Sequence, residues 1–135
     1  MSLLPTKNDL GFFEIRLESI GGLGANLAGK MLAEAGVLGL DLNGSNFSSY
    51  GSEKKGSPVK GYIRFCEPDV EIRDHSPIEE PHVIGVFHEA LYKMVDVVKG
   101  LRPNGIVLVN STRDFESVKN DLGIKSGKLA IIDAL

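Results

Sequence analysis

The feature that most constrains this chain is a change of period around a run of glycines. Residues Phe12 to Leu17 alternate in polarity and predict a strand. Ser19-Ile20-Gly21-Gly22-Leu23-Gly24 interrupts that pattern. From Ala25 the period becomes helical, with Leu27, Met31, Leu32 and Ala35 at three- and four-residue spacing as the expected apolar face. Strand, glycine turn, helix is the opening of an α/β unit.

The rest of the chain repeats the alternation. Gly36 and Gly39 read as helix stops, and Leu38 to Leu42 as a second short strand. Asn43 to Pro58 is polar and glycine-punctuated, with five serines and the cluster Glu53-Lys54-Lys55. It predicts a long functional loop or partner surface. Val59 to Cys66 predicts a strand buried on one side, with Val59, Gly61, Ile63 and Phe65 inward and Lys60, Tyr62 and Arg64 outward, as an edge or antiparallel strand would be. Glu67 to Pro81 reads as loop. His82 to Phe87 and Ile106 to Val109 read as buried strands, Glu89 to Leu101 and Asp114 to Leu122 as helices, and Lys128 to Ile132 as the last strand. The expected fold is α/β: a Rossmann-like three-layer domain with a mainly parallel sheet and at least one antiparallel or edge strand. A helix covering the last strand is the next element such a fold needs, so a C-terminal part is expected beyond Leu135.

Composition excludes several classes. At 135 residues, 42% hydrophobic and 24% charged, the chain suits one globular domain. No apolar run approaches the roughly 20 residues of a membrane span, and no leader-like start is visible, so the cytoplasm is expected. A formal charge of −3 without a basic block argues against nucleic acid. One cysteine, Cys66, excludes an internal disulfide, and also a cluster or zinc site built from several thiolates of this chain.

Gly21, Gly22 and Gly24 stand between a strand and a helix N-terminus, where backbone N–H groups and the helix dipole favour an anion. The spacing departs from G-x-G-x-x-G. Three readings stay open: close helix–strand packing, a phosphate or nucleotide, or a surface for another subunit.

The ordered motifs Ile15-Arg16, Gly21-Gly22-Leu23-Gly24-Ala25, Leu32-Ala33-Glu34-Ala35, Ser49-Tyr50-Gly51-Ser52-Glu53-Lys54-Lys55-Gly56-Ser57-Pro58-Val59, Ser76-Pro77-Ile78 and Leu101-Arg102-Pro103-Asn104-Gly105-Ile106, with Val109-Asn110-Ser111, resemble the gamma subunit of 2-oxoacid:ferredoxin oxidoreductases. At Ser19, Ile20, Leu23, Ser52 and Lys55 the chain departs from that family's usual residues. The resemblance covers Glu14 to about Leu135 and implies a single gamma-type domain, shortened at its C-terminus. It implies a non-catalytic part of a complex that oxidatively decarboxylates a 2-oxoacid, usually to an acyl-coenzyme A, and passes electrons to ferredoxin. Thiamine diphosphate, magnesium and iron–sulfur clusters would sit on partner subunits of alpha, beta and delta type. This chain would bind none of them, with coenzyme A as a co-substrate of the complex. The isolated chain would be inactive and would self-associate. The resemblance marks Gly21, Gly22, Gly24, Asn110 and Ser111 as cofactor-proximal, and Tyr50, Gly51, Glu53, Lys54, Lys55, Gly56 and Arg64 as an interface or acceptor loop with its following strand. The alternative is a stand-alone domain binding NAD or a flavin.

Among other chemistry-bearing residues, His75, His82 and His88 lack metal-ligand spacing, and only His88, at a strand end, is a site candidate. Cys66 is expected to be buried rather than nucleophilic. Asn110-Ser111-Thr112 reads as a cap for the helix near Asp114, or as part of a site.

Overall fold

A computed structural model describes residues 4–21, 25–50, 57–124 and 127–133. The element order is β1 (Phe13–Ile20), α1 (Ala25–Leu40), β2 (Asn43–Tyr50), β3 (Pro58–Cys66), β4 (Val83–Val86), a 3₁₀ turn (Glu89–Lys93), β5 (Ile106–Asn110), α2 (Phe115–Leu122) and β6 (Lys128–Ile132). The six strands form one sheet in the order β2-β3-β1-β4-β5-β6. β1 is parallel to β4, β4 to β5 and β5 to β6, whereas β3 is antiparallel to both β1 and β2. This is the expected α/β sheet, mainly parallel with an antiparallel flank.

Register decides which residues share a face. Ile15 lies beside Val83 and Leu17 beside Gly85, and on the other flank Ile15 faces Ile63. That face carries one core: Ile15, Leu17, Ile63 and Phe65 with Ala33 of α1 and Leu42. The opposite face carries the second core: Ile84, Val86, Val107 and Val109 with Leu91, Val97, Val118 and Leu122. α1 therefore covers one face over β1 to β3, and α2 with the 3₁₀ segment covers the other face over β4 to β6.

α1 seats itself by its small residues. Gly29, Ala33 and Gly36 are buried, while Leu27, Met31 and Leu32 are 62%, 60% and 40% exposed. The expected apolar face is thus real as a stripe but points outward. The reason is room: a Cβ at Gly36 would lie 2.7 Å from Phe65 Cζ, so a large side chain there cannot approach the sheet. Gly36 and Gly39 do not stop the helix, which runs to Leu40. It ends where Asp41 takes φ 55°, a left-handed conformation usually left to glycine, and the Leu42 N–H reaches back to the Gly36 carbonyl at 3.2 Å.

Four further expectations are corrected. Leu38–Leu42 is the end of α1, and the second strand is Asn43–Tyr50, inside the segment read as loop. As an outer strand it carries polar residues that hide alternation, and its place is set by pairing from Asn43 with Cys66 to Tyr50 with Val59. β3 is antiparallel as expected but is not an edge, and Tyr62 and Arg64 are buried along with Ile63 and Phe65. The helix expected over Glu89–Leu101 stops at Lys93. Arg16 takes the carbonyls of Val97 and Lys99, at 3.3 and 2.6 Å, which turns them into the domain and away from a helical ladder. β5 is buried on one face only: Val107 and Val109 are fully buried, but Ile106 and Leu108 are 41% and 37% exposed because no described element covers that face there. Among the described residues no helix is long and apolar enough to cross a membrane.

A candidate interface at the carboxyl edge of the sheet

The parallel strands β1, β4, β5 and β6 all end at the same edge, where open α/β sheets place their ligands. β3 begins at that edge because it runs antiparallel to β1, with Pro58 beside Ile20. The start of β3 therefore lies beside the end of β1. A direct bond joins the residues that precede and follow them: the Gly21 N–H donates to the Ser57 carbonyl at 2.8 Å. Two motifs more than 30 residues apart in sequence thus meet at one place. Gly22, Gly24, Gly51, Glu53, Lys54, Lys55 and Gly56 lie outside the described residues, and Tyr50 is described as the strand residue that pairs with Val59.

Asn110 and Ser111 are at this edge as well, held within the framework. Asn110 Nδ2 donates to the Phe87 carbonyl at 3.3 Å. The Ser111 N–H reaches the Ile132 carbonyl, and its hydroxyl donates to Glu89 Oε1 at 2.7 Å while accepting the Arg113 N–H at 3.0 Å. Capping falls instead to Asp114, whose carboxylate accepts the Ser117 N–H at 3.1 Å and whose own carboxyl is held below its usual range by the Ser117 hydroxyl and N–H. Sequence reasoning missed the group around Ser111. Arg113 pairs with Glu89 at 2.7 Å and Asp121 at 2.6 Å, and bonds to Asp121 first and Glu89 second push its pKa up. Burial, with the Glu89 charge beside it, pushes the Tyr92 hydroxyl up to about 12. Together with Lys93 these residues line an open groove of about 480 Å³. Glu89, Arg113 and Asp121 come from three separate segments as isolated charges, so no spacing announces them. His88, the histidine singled out, is half-buried beside Phe87, and its Nε2 has no hydrogen-bond partner among the described residues.

A second charged feature runs along the sheet face that α1 leaves free. Register sets Glu14 across from Arg64 and Glu18 across from Lys60. Arg64 Nε donates to Glu14 Oε2 at 2.7 Å, with Asp74 4.0 Å from its Nη2. Glu18, 1% exposed, accepts Arg16 Nε at 2.8 Å and Lys60 Nζ at 2.7 Å. Arg16 also takes the Ile78 carbonyl. Three cations thus meet two buried carboxylates and Asp74. Arg64 sits six residues along β3 from Pro58, about 20 Å at 3.3 Å per residue, and so toward the end of the sheet opposite the carboxyl edge. Lys60, whose side chain is one-third exposed, ends the strip near the carboxyl edge.

The remaining candidates offer no reactive group. Cys66 is fully buried, its Sγ is 3.3 Å from the Val70 carbonyl, and burial followed by the charges of Glu67 and Asp69 pushes its thiol up. No group of three metal-ligating side chains occurs among the described residues.

Comparison with known proteins bears on these motifs. The family pattern described as pyruvate ferredoxin/flavodoxin oxidoreductase matches residues 14–135. The chain is 37% identical over 123 residues to the pyruvate synthase subunit PorC of Thermotoga maritima, covering 91% of this chain and 62% of that one. It is 38% identical over 122 residues to the pyruvate/ketoisovalerate oxidoreductases common subunit gamma of Pyrococcus abyssi, covering 90% and 64%. The crystal structure of the Thermotoga maritima pyruvate oxidoreductase subunit PorC superposes with a TM-score of 0.76 at 35% identity, over 92% of this chain and 63% of that one. A keto/oxoacid ferredoxin oxidoreductase gamma subunit from Geobacter sulfurreducens, at 18% identity and TM-score 0.59, shares the fold. The chain spans less than two-thirds of the length of these relatives. A match across the whole sheet, from Glu14 of β1 to the end of the chain, places this chain in the pyruvate ferredoxin/flavodoxin oxidoreductase family.

Proposed function

We propose that this chain is a gamma-type, non-catalytic part of a 2-oxoacid:ferredoxin oxidoreductase of the cytoplasm. The complex oxidatively decarboxylates a 2-oxoacid on thiamine diphosphate and passes electrons through iron–sulfur clusters to ferredoxin, with coenzyme A as the usual acyl acceptor. The relatives' names favour pyruvate or a branched-chain 2-oxoacid as substrate. The alternative of a stand-alone NAD or flavin domain is not favoured, since the relatives are oxidoreductase subunits. The chain's own residues do not suit a cluster, because its one thiol is buried with a raised pKa. In this reading clusters, thiamine diphosphate and magnesium stand on partner subunits of alpha, beta and delta type, and the pure chain binds no iron and reduces no viologen with a 2-oxoacid.

The observation that supports the reading is the Gly21–Ser57 bond, which joins the end of β1 to the start of β3 at the carboxyl edge. The tip with Tyr50, Gly51, Glu53, Lys54, Lys55 and Gly56 is the surface offered to the thiamine-bearing neighbour. Its lysines act as point charges toward a phosphate or carboxylate there, without arginine's bidentate fork. The test is a complex reconstituted with Lys54→Ala/Lys55→Ala. The isolated variant keeps its stability within about 0.5 kcal/mol. Turnover or acceptor affinity falls, and assembly loses roughly 2–5 kcal/mol if a partner carboxylate is left buried and unpaired. Wild-type assembly and turnover together would show that the tip is only a solvated charge run.

A further inference from the structure

Arg16 and Arg64 stand in the same charged strip but are engaged differently. Arg16 uses every nitrogen of its guanidinium, Nε with Glu18 and the two Nη groups with the carbonyls of Ile78, Val97 and Lys99. Arg64 is as deeply buried, at 3% exposure, yet only its Nε is engaged, with Glu14. Its Nη1 and Nη2 make no hydrogen bond among the described residues, and Asp74 Oδ2 stands 4.0 Å from Nη2, beyond hydrogen-bond reach. A buried fork of donors without acceptors is costly to keep, and such exceptions call for a partner that completes them.

Space for a partner lies beside the fork. Arg64 and Asp74 line an open cavity of about 350 Å³, at the small end of ligand pockets. Arg102 lines it as well. Its Nε donates to the Glu80 carbonyl at 2.9 Å and its N–H to the Pro81 carbonyl at 3.1 Å, while its Nη groups make no hydrogen bond among the described residues. Two guanidinium groups anchored through Nε thus border one cavity with their Nη groups unused, which suits the oxygens of a carboxylate. The acids of the cavity narrow the ligand further. Asp74 gives Oδ1 to the Ser76 N–H and hydroxyl, and its Oδ2 makes no hydrogen bond among the described residues. The exposed Glu79 and Glu80 line the same cavity. A simple anion meets repulsion from these three carboxylates. A carboxylate with an ammonium beside it does not, because a carboxylate on the Arg64 fork sets the ammonium at Asp74 Oδ2. The 4.0 Å between Nη2 and Oδ2 suits two ligand charges held on adjacent atoms. Ile78, 2% exposed, supplies with Pro77 and Leu10 an apolar wall.

We propose that this cavity binds a free α-amino acid with an apolar side chain, its carboxylate on Arg64 and Arg102 and its ammonium on Asp74. The inference is independent of the oxidoreductase reading, since it uses only residues at the end of the sheet opposite the carboxyl edge. An open cavity and so small a ligand set the dissociation constant at about 0.1–1 mM.

The full chain, isotope-labelled for amide NMR, is titrated with L-leucine, with isocaproate, which lacks the ammonium, and with isoamylamine, which lacks the carboxylate. Circular dichroism checks each variant's fold. Leucine is expected to shift the amides of Asp74, Ser76 and Arg102 and to bind about tenfold or more tighter than either analogue. Asp74→Asn keeps an acceptor for Ser76, so it should stay folded, weaken leucine about tenfold and tighten isocaproate. Arg102→Gln should weaken leucine and isocaproate alike, by about threefold or more. Arg64→Lys keeps a charge beside Glu14 without the fork and should weaken leucine by about tenfold or more. If that variant does not fold, Asp74→Asn and Arg102→Gln decide. No amide shift with leucine at ~20 mM overturns the proposal. So does leucine binding that Asp74→Asn and Arg102→Gln leave unchanged. Equal affinity for leucine and isocaproate overturns the assignment of the ammonium to Asp74.

Discussion

Two glycines of α1 have opposite expected responses to alanine, and the difference measures how closely the helix sits on the sheet. In an exposed helix, Gly→Ala stabilises by about 0.5–1 kcal/mol, because alanine loses less backbone entropy. At Gly29 nothing opposes this. A Cβ there would meet Leu17 Cδ1 at 3.8 Å and Ile63 Cδ1 at 4.0 Å, which is ordinary contact. At Gly36 a Cβ would lie 2.7 Å from Phe65 Cζ and 2.9 Å from Cδ1. The ring is held in place: it is 5% exposed, and a Cβ on Gly44 would come within 3.0 Å of its Cδ1, so the Gly44 backbone is close as well. Overpacking of this kind costs typically 1–3 kcal/mol and outweighs the entropic gain. Gly29→Ala is therefore expected to be stabilised by up to about 1 kcal/mol and Gly36→Ala destabilised by about 1–2 kcal/mol. Urea unfolding followed by circular dichroism separates them, since a gap of about 2–3 kcal/mol moves the midpoint by roughly 1 M at ordinary slopes. Equal midpoints for the two variants would refute the seating of α1 on Phe65.

Glu18→Ala should cost about 3–5 kcal/mol, because it leaves Arg16 buried beside no carboxylate, and this is a large share of the ~5–15 kcal/mol that holds a domain folded; urea unfolding checks it, and a loss below about 1 kcal/mol would show that the carbonyls around Arg16 suffice. His82 has a pKa depressed by burial and then by the Arg102 charge, and its Nδ1 accepts the Glu14 N–H at 3.0 Å. The unfolded chain therefore takes up the proton first, so stability falls as pH drops from 6.5 through the lower folded value and then levels. His82→Gln should abolish that slope in urea midpoints taken between about pH 7.5 and 5. Asp74 and Asp114 have depressed carboxyl pKa values, set first by the Ser76 and Ser117 hydroxyls, so their contribution is full above 3.8 and is lost only as pH falls through still lower values. A second, acid-side loss of stability, weakened in Asp114→Asn, is the expected signature.

The sequence shows its strands best where burial imposes a pattern. β1, β3, β4, β5 and β6 alternate or run apolar, and each lies within a few residues of its expected place. β2 was hidden because an outer strand of Gly44, Ser45, Asn46 and Ser48 satisfies its backbone by pairing and keeps little apolar signal. The helical period of α1 was legible, but its sense was not: the periodic large residues mark a free face, and the seat is made by glycine and alanine. At the edge, the glycine turn and the Ser49–Val59 segment, read as loop, were recognisable as motifs. That Gly21 meets Ser57 was not, since it depends on the antiparallel placement of β3. Arg64 carried a family resemblance, yet its position opposite Glu14 follows only from register.

That register also explains why charge is buried in this sheet. A doubly covered sheet needs a helix over each half of each face. Here, among the described residues, no α-helix covers the face of β1 and β3 away from α1. That face is covered by the segment around Ile78 and by the turns through Val97 and Lys99, irregular backbone whose carbonyls need donors once buried. An apolar side chain at Arg16 could not supply them. The guanidinium supplies Nη1 to Ile78 and Nη2 to Val97 and Lys99, and Nε remains for Glu18. Glu18 then needs a second cation, and Lys60, directly opposite, both provides it and reaches solvent at the carboxyl edge. The same segments that the sequence presents as a loop and a helix are thus held as turns by one central arginine. The strip of charge lies beneath those turns, and its open end at Lys60 brings a positive charge to the edge where Gly21 meets Ser57.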